Sequence, residues 1–439
     1  MRVLSRWLVV LALGLLVVGC GSVSVRQARC AVVVPGDDPS MAFGAVLAAE
    51  LPDGTLVVGG SRNHGRTLLI RLRRLTQDCR PVASFGDNGT ATIVVKSVQP
   101  EYVGIARMVT TPGGELLLAG TDGHSELVGR LLASGRLDHS FGNGGWTRIS
   151  PHGTPLGPTL PAPIATSLAL TPAGAIFVGG NDQEAHCCVQ DFVSELSPQG
   201  NLVRSFGHEG SVVLPAEFVG SFTTDVYSDA VGGVYALGLR VFMGCGGPIV
   251  VRVRSDGSLD ARFDAAAARS IASATPHRLL FVPALILRPQ PGSFALIGGL
   301  SNECGTASHV VNSGLAVGLL PSGRIDRSYG RDGTTRFPGN VDPFSTSDTS
   351  LLETRSGRIL ALTSLYSASA AAVVSATVRA FSTSGAIDQS FGKSGARIVD
   401  LRTLPRTEDV NVALAPGRDG GAWVVTGFPK EINLIRVQP

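Results

Sequence analysis

Residues 52–60 read PDGTLVVGG, a glycine-containing turn followed by a short apolar strand, and this phrase returns along the whole chain. The further copies are PGGELLLAG from Pro112, PAGAIFVGG from Pro172, VGGVYALGL from Val231, PGSFALIGG from Pro291, RSGRILALT from Arg355 and RDGGAWVVT from Arg418. Turn glycines Gly54, Gly114, Gly174 and Gly233 are spaced by 60, 60 and 59 residues. A period of this length predicts one structural unit used seven times.

A second phrase follows most copies of the first. It reads ASFGDNG from Ala83, LDHSFGNGG from Leu137, LVRSFGHEG from Leu202, IDRSYGRDG from Ile325 and IDQSFGKSG from Ile387, and residues 259–264, LDARFD, form a degraded copy without the glycine. We predict that its aromatic residues pack as wedges between neighbouring units: Phe85, Phe141, Phe206, Tyr329 and Phe391. Asp138, Asp326 and Asp388 precede the turn and are expected to accept backbone hydrogen bonds there.

Each unit reads as four antiparallel strands joined by turns, which fits a β-propeller blade better than a solenoid coil. The chain stops after the third strand of the seventh unit, at residues 433–437. Residues 31–34, AVVV, are a candidate for the missing outer strand of that unit. The sequence therefore predicts an all-β, seven-bladed propeller over residues 30–439, closed by pairing of the N-terminal strand with the C-terminal blade.

The two phrases resemble the delta-60 repeat family of bacterial β-propellers, whose units are similar to PDG-strand-GG followed by DGSLD-x-SFG-x-x-G. The resemblance covers nearly all of residues 30–439, with departures at Phe263-Asp264 and at Ser293. It implies a propeller fold and an extracytoplasmic location, but it brings no settled activity or catalytic residues.

The N-terminus predicts export and a lipid anchor. Arg2 and Arg6 precede an apolar stretch of eleven residues, 8–18, which is too short to span a bilayer. Residues 17–20, VVGC, resemble a bacterial lipobox, which implies a signal peptide over residues 1–19, acylation of Cys20 and a short tether over residues 20–29. Gly21 in place of an aspartate favours the outer membrane if the envelope is Gram-negative. The alternative is an ordinary secretory signal with a chance cysteine.

Composition excludes several classes of protein. The chain has 44% hydrophobic and 16% charged residues, with 55 Gly, 26 Pro and a formal net charge of +3. A disordered chain has few apolar residues and a high net charge, and a nucleic-acid-binding protein needs a strong basic field. We therefore expect no nucleic-acid partner. The protein is also expected to be monomeric.

The six remaining cysteines suit disulfides, since the number is even and export leads to an oxidising compartment. We predict a Cys30–Cys79 bridge, because both positions lie on the same face of neighbouring blades. The other four are expected on the opposite face. Cys245 pairs there either with Cys304, leaving Cys187 and Cys188 as a vicinal pair or free thiols, or with Cys188.

Few residues suggest chemistry. His64, His124 and His186 occupy matching or nearly matching loops and are candidates for binding a metal ion. The alternative, which we favour, is that they are solvated loop histidines. Acidic residues read as lying near the starts of inner strands, where propeller enzymes place acids, are Asp225, Asp229, Glu353, Glu408 and Asp409. No nucleophile elbow, zinc-protease or phosphate-loop motif occurs.

We therefore expect an envelope-anchored lipoprotein whose propeller binds a ligand, glycan or envelope protein, with no catalysis and no cofactor. The alternative is a propeller enzyme that acts on a carbohydrate or a lactone through acids at the channel mouth. A structural envelope component is a third possibility.

Overall fold

A computed structural model of the protein describes most of the repeat region. The described residues are 29–33, 46–64, 66–96, 104–123, 125–150, 164–183, 189–215, 225–229, 231–239, 247–275, 279–287, 293–301, 311–341, 350–354, 356–367, 372–402, 412–417, 420–427 and 431–439. Among them, no helix is long and apolar enough to cross a membrane.

The first three blades are four-stranded antiparallel sheets, each numbered from the inner to the outer strand. Strand β1, Arg29–Val33, precedes them in the chain. Blade one is β2 Leu47–Glu50, β3 Leu56–His64, β4 Thr67–Leu75 and β5 Thr90–Lys96. Blade two is β6 Gly104–Thr110, β7 Leu116–Thr121, β8 Glu126–Leu131 and β9 Trp146–Ile149. Blade three is β10 Ile164–Leu170, β11 Ile176–Gln183, β12 Val189–Leu196 and β13 Ser211–Val213.

The other four blades follow the same order, with one exception in blade four. Blade four is β14 Asp225–Ser228, β15 Val234–Leu239, β16 Pro248–Val253 and helix α1 Ala261–Ala274. Blade five is β17 Leu279–Leu287, β18 Phe294–Ser301, β19 Val311–Leu319 and β20 Thr334–Val341. Blade six is β21 Ser350–Glu353, β22 Ile359–Ser367, β23 Ala372–Phe381 and β24 Ala396–Asp400. Blade seven is β25 Val412–Pro416, β26 Ala422–Gly427, β27 Glu431–Val437 and, from the other end of the chain, β1.

The predicted ring closure is confirmed. Strand β1 pairs antiparallel with β27, with Arg29 opposite Ile435 and Ala31 opposite Asn433. Contacts between consecutive inner strands run around the ring and return from β25 to β2. Because the N-terminal strand completes the C-terminal blade, that blade presents β1 and not β27 at its outer edge.

The core is divided into seven apolar clusters, and each cluster fills one interface between neighbouring blades. The predicted wedges are confirmed, since every motif aromatic is almost fully buried in the cluster that joins its own blade to the next. These residues are Phe85, Phe141, Phe206, Tyr329 and Phe391. Phe263 has the same role between blades four and five. At the interface of blades seven and one, Trp423 is the buried aromatic, and its Nε1 donates to Gln77 Oε1 at 2.8 Å.

Blade four departs from the sequence expectation. Residues 259–264 were predicted to be a degraded turn phrase before an outer strand, but a helix of 14 residues begins at Ala261. Asp260 caps the helix by accepting the N–H of Phe263 at 3.2 Å. The segment that follows, AAAAR over residues 265–269, has high helix propensity and lacks the glycines that form the turn elsewhere. Among the described residues, the sheet of blade four therefore has three strands.

The two ends of the ring differ. One end, here called the hairpin face, carries the turns from the first to the second strand and from the third to the fourth strand of each blade. The other end, the loop face, carries the connections from the second to the third strand and from blade to blade. Many of the loop-face connections lie outside the described residues, whereas most of the hairpin face is described.

Candidate functional site

An ion pair spans the mouth of the central channel at the loop face. Arg107 lies on β6 of blade two, and Asp225 begins β14 of blade four. Arg107 Nη2 donates to Asp225 Oδ1, so this side chain reaches past the inner strand of blade three. The side chains are 43% and 28% exposed, which leaves both groups accessible to a polar ligand in the channel.

The backbone around this pair is held by serine side chains from neighbouring blades. The Ser61 hydroxyl accepts the N–H of Ile105 at 2.8 Å, and the Ser167 hydroxyl accepts the N–H of Val226 at 3.1 Å. A shift of register between Ile105 and Arg107 marks a β-bulge, and bulges re-aim the side chains beside them. Buried hydroxyl acceptors and the bulge together fix where Arg107 and Asp225 project.

Of the three acidic candidates that the structure describes, Asp225 alone lies at this mouth. Asp229 and Glu353 were expected near the starts of inner strands, but they lie at the opposite ends, Glu353 as the last residue of β21 and Asp229 directly after β14. That expectation was wrong for both, because the inner strands are short and each runs from the loop face to the hairpin face. Glu408 and Asp409 lie outside the described residues.

Blade two carries two buried acids near the loop face. Asp122, 1% exposed, accepts from Arg148 Nε at 2.6 Å and from the N–H of Ser125 at 2.9 Å. Glu126 begins the next strand and is fully buried. His124 and His186 lie outside the described residues, as does the side chain of His64. Within the described part of the chain, no group of three metal-ligating side chains is found.

A second charged cluster lies at the hairpin face of blade four. Arg252 binds Asp229 through Nε and Nη2 at 3.0 and 2.7 Å, and Arg254 binds Asp260 at 3.0 Å. Burial raises the pKa of Asp264 to about 6, with a further rise from Asp260. Burial also raises the pKa of Tyr235 to about 12.

The role of Asp264 is visible from the other blades. In blades one, two, three, five and six, one residue near the end of the third strand donates its backbone N–H to the carbonyl of the last glycine of the second phrase. The pairs are Arg74–Gly89, Arg130–Gly145, Glu195–Gly210, Gly318–Gly333 and Ala380–Gly395. In blade four, which lacks that glycine, the N–H of Arg252 donates to Asp264 Oδ1 at 3.0 Å instead. A side-chain carboxylate on the helix thus replaces a missing backbone carbonyl, so this cluster has a structural role.

The motif aspartates behave as predicted and also form ion pairs that the sequence did not suggest. Asp138 accepts the N–H of Ser140 at 3.0 Å, and the Ser140 hydroxyl, with Arg130, keeps the pKa of Asp138 below its usual value. Arg130 Nε lies 2.7 Å from Asp138, and its guanidinium stacks 4.8 Å above the Phe141 ring. Arg358, Asp388 and Phe391 repeat this arrangement in blade six.

A groove of about 330 Å³ lies between the turns of blades two and three at the hairpin face. Its polar lining includes Asn143, Arg148 and Asn201. The Thr147 hydroxyl donates across it to the Gly200 carbonyl at 2.5 Å. Its walls are thus the same turns that join the two blades, and we assign it no ligand.

Of the seven cysteines, only Cys79 has a described side chain, and it is disulfide-bonded. Cys79 packs against the cluster between blades seven and one, which contains Leu434, and Leu434 is the register partner of Cys30. The predicted Cys30–Cys79 bridge stays a prediction. Cys20 and the remaining four cysteines, Cys187, Cys188, Cys245 and Cys304, lie outside the described residues.

No family model matches the chain, and no curated protein matches it significantly. Solved structures match over most of its length. A protein of unknown function from Dyadobacter fermentans is 10% identical, with a TM-score of 0.42 over 93% of this chain and 99% of its own. The polysaccharide lyase Uly1 is 11% identical, with a TM-score of 0.43 over 92% of this chain and 91% of its own. A subtype N11 neuraminidase-like protein of A/flat-faced bat/Peru (H18N11) is 9% identical, with a TM-score of 0.42 over 94% of each chain. At these identities the similarity is one of fold alone.

Proposed function

We propose that this protein is an envelope lipoprotein, anchored through Cys20, whose propeller is a rigid platform that binds a ligand or protein without chemistry. On this proposal the repeats are of the delta-60 type, and recognition occurs at the loop-face mouth of the channel. The observation that carries the proposal is the Arg107–Asp225 ion pair across that mouth.

An ion pair of this kind suits recognition better than catalysis. Most glycoside hydrolases use two carboxylates at a defined separation, and Asp225 is instead bound by a guanidinium. A guanidinium has five N–H donors, of which the ion pair with Asp225 uses one, and a carboxylate has two acceptor oxygens. The pair therefore places donors and acceptors side by side for a polar ligand. Fixed inner strands from different blades hold the two groups, so their geometry is set before the ligand arrives.

The test is affinity capture of detergent-solubilised envelope proteins and of a panel of envelope glycans. The double variant Arg107→Gln/Asp225→Asn keeps the net charge and removes the pair. We expect it to lose at least tenfold in retained ligand, since hydrogen bonds to charged groups each contribute about 1.5–3 kcal/mol. The control is Arg358→Gln/Asp388→Asn, which removes an ion pair at the hairpin face.

Equal capture by the two double variants would contradict recognition at the channel mouth. Turnover of a polysaccharide or lactone by the wild type, lost in Asp225→Asn alone, would favour the enzyme alternative instead. The anchor is tested separately by metabolic labelling with a radioactive fatty acid, where the wild type takes up label and Cys20→Ala does not.

A further inference from the structure

We propose that the hairpin face of the propeller lies against an anionic phospholipid surface, so that the loop face and its channel mouth point away from the membrane. This inference rests on the proposed function, because it takes Cys20 as the acylated residue. Three observations on different parts of the molecule support it, and each concerns the hairpin face.

The first observation is the point where the chain enters the ring. Strand β1 is antiparallel to β27, which runs from the loop face to the hairpin face, so β1 begins at the hairpin face with Arg29 opposite Ile435. Eight residues, 21–28, separate Arg29 from Cys20, so nine Cα–Cα steps join the two. Fully extended, such a tether reaches at most about 30 Å. A lipid on Cys20 therefore holds the hairpin-face corner of blade seven close to the bilayer.

The second observation is charge. The connections between the third and fourth strands of blades two, three and five carry five exposed arginines, which are Arg136, Arg204, Arg324, Arg327 and Arg331. The exposed acids in the same connections are Glu209 and Asp332. Within the described part of the chain, none of the five arginines forms an ion pair. Basic side chains near an anionic leaflet each favour binding by about 1 kcal/mol, about a fivefold change.

The third observation is exposed apolar surface on the same face. Val231, in the turn between β14 and β15, is 74% exposed, and Leu132, directly after β8, is 41% exposed. Both residues lie in hairpin-face turns. Leu132 is in blade two, which carries Arg136, and Val231 is in blade four, between the arginine-bearing blades three and five. Apolar side chains at a lipid surface enter the boundary between headgroups and acyl chains.

The two attachments act at opposite sides of the ring. The tether leaves from blade seven, whereas the arginines and the exposed apolar side chains lie on blades two to five. An anchor on one side alone would let the propeller tilt. A second, electrostatic contact on the far side holds the hairpin face parallel to the membrane and leaves the Arg107–Asp225 mouth facing outward.

The test is cosedimentation of the mature Cys20→Ala chain with vesicles of phosphatidylcholine, with or without about one third phosphatidylglycerol. We expect binding only to the phosphatidylglycerol vesicles, and weaker binding as salt rises. Arg324→Gln/Arg327→Gln should weaken that binding about tenfold or more. The matched control Arg269→Gln/Arg336→Gln removes two exposed arginines from the outer rim and should change binding by twofold or less.

Equal loss in both double variants, or equal binding to both kinds of vesicle, would overturn the membrane-facing assignment. Metabolic labelling distinguishes this failure from failure of the lipoprotein proposal. A labelled Cys20 with arginine-independent vesicle binding overturns the orientation only. An unlabelled Cys20 with arginine-dependent binding overturns the anchor and supports a lipid-binding hairpin face.

Discussion

At the scale of single residues, the interfaces between blades depend on contacts between a motif aromatic and a turn glycine of the next blade. Gly200 has φ of +82°, and a Cβ there would lie 2.6 Å from the Phe141 ring. Gly200→Ala therefore combines left-handed backbone strain of about 1 kcal/mol with overpacking of about 1–3 kcal/mol. We expect it to lower the free energy of unfolding by about 2–4 kcal/mol in urea titrations.

Gly144 supplies the matched control, because it has φ of +66° but no atom within 4 Å of the added Cβ. Gly144→Ala should show the backbone cost alone, about 1 kcal/mol. In the Gly200→Ala background, Phe141→Leu should restore part of the loss by making room for the methyl group. If Gly144→Ala and Gly200→Ala were equally destabilising, the aromatic would not be packed against the glycine as described.

At the scale of elements, helix α1 substitutes for an outer strand at the cost of a half-buried carboxylate. The pKa of Asp264 is raised from 3.8 to about 6, so the folded state holds this proton more tightly than the unfolded state does. The stability that comes from protonated Asp264 is complete below about pH 4 and is lost as the pH rises through about 6. Asp264→Asn keeps the Oδ1 acceptor for the N–H of Arg252 and removes the titration.

We therefore expect Asp264→Asn to raise the free energy of unfolding at pH 7 by about 1–2 kcal/mol, with little change at pH 4. The measurement is urea unfolding of both chains between pH 4 and 8. Asp332→Asn is the control, since Asp332 is exposed in a turn where asparagine adopts the same left-handed backbone. A wild type and Asp264→Asn that kept a constant difference across this range would contradict a raised pKa.

The same element marks the limit of prediction from the sequence. Seven turn-and-strand phrases predicted the blades, because each phrase places a glycine and apolar residues where the repeated backbone requires them. The prediction of an outer strand in blade four was wrong. Phe263 matches the aromatic residue of the second phrase, although the glycines of that phrase are absent. The signal for the helix was present in Asp260 as a cap and in residues 265–269, but the repeat pattern outweighed it.

At the scale of the whole molecule, the ring brings together residues that no local pattern relates. Arg107 and Asp225 are 118 residues apart in the chain, and they meet only because blades two and four face the same channel. Trp423 and Gln77 meet only because blade seven closes on blade one. The repeats predicted the closure itself, whereas these side-chain pairs depend on the radius and tilt of the assembled ring, which periodicity does not contain.

Strand β1 is expected to be required for ring closure whichever end of the chain supplies it. Deleting residues 29–33 leaves the backbone of β27 unpaired at its outer edge, and exposed strand edges promote association. We expect the deleted chain to oligomerise, as measured by light scattering, and to melt at a lower temperature.

Moving the same strand to the C-terminus should restore both the monomer and the melting temperature. The register allows this, because Arg29 opposite Ile435 matches Ala396 opposite Arg379 in blade six. A copy of residues 384–395 after Pro439, followed by RCAVV, would then supply β1 through an ordinary connection between the third and fourth strands. A deleted chain that stayed monomeric with unchanged melting would show that the ring does not need its N-terminal strand. A relocated strand that failed to restore a monomer would show that the strand works only from the N-terminus.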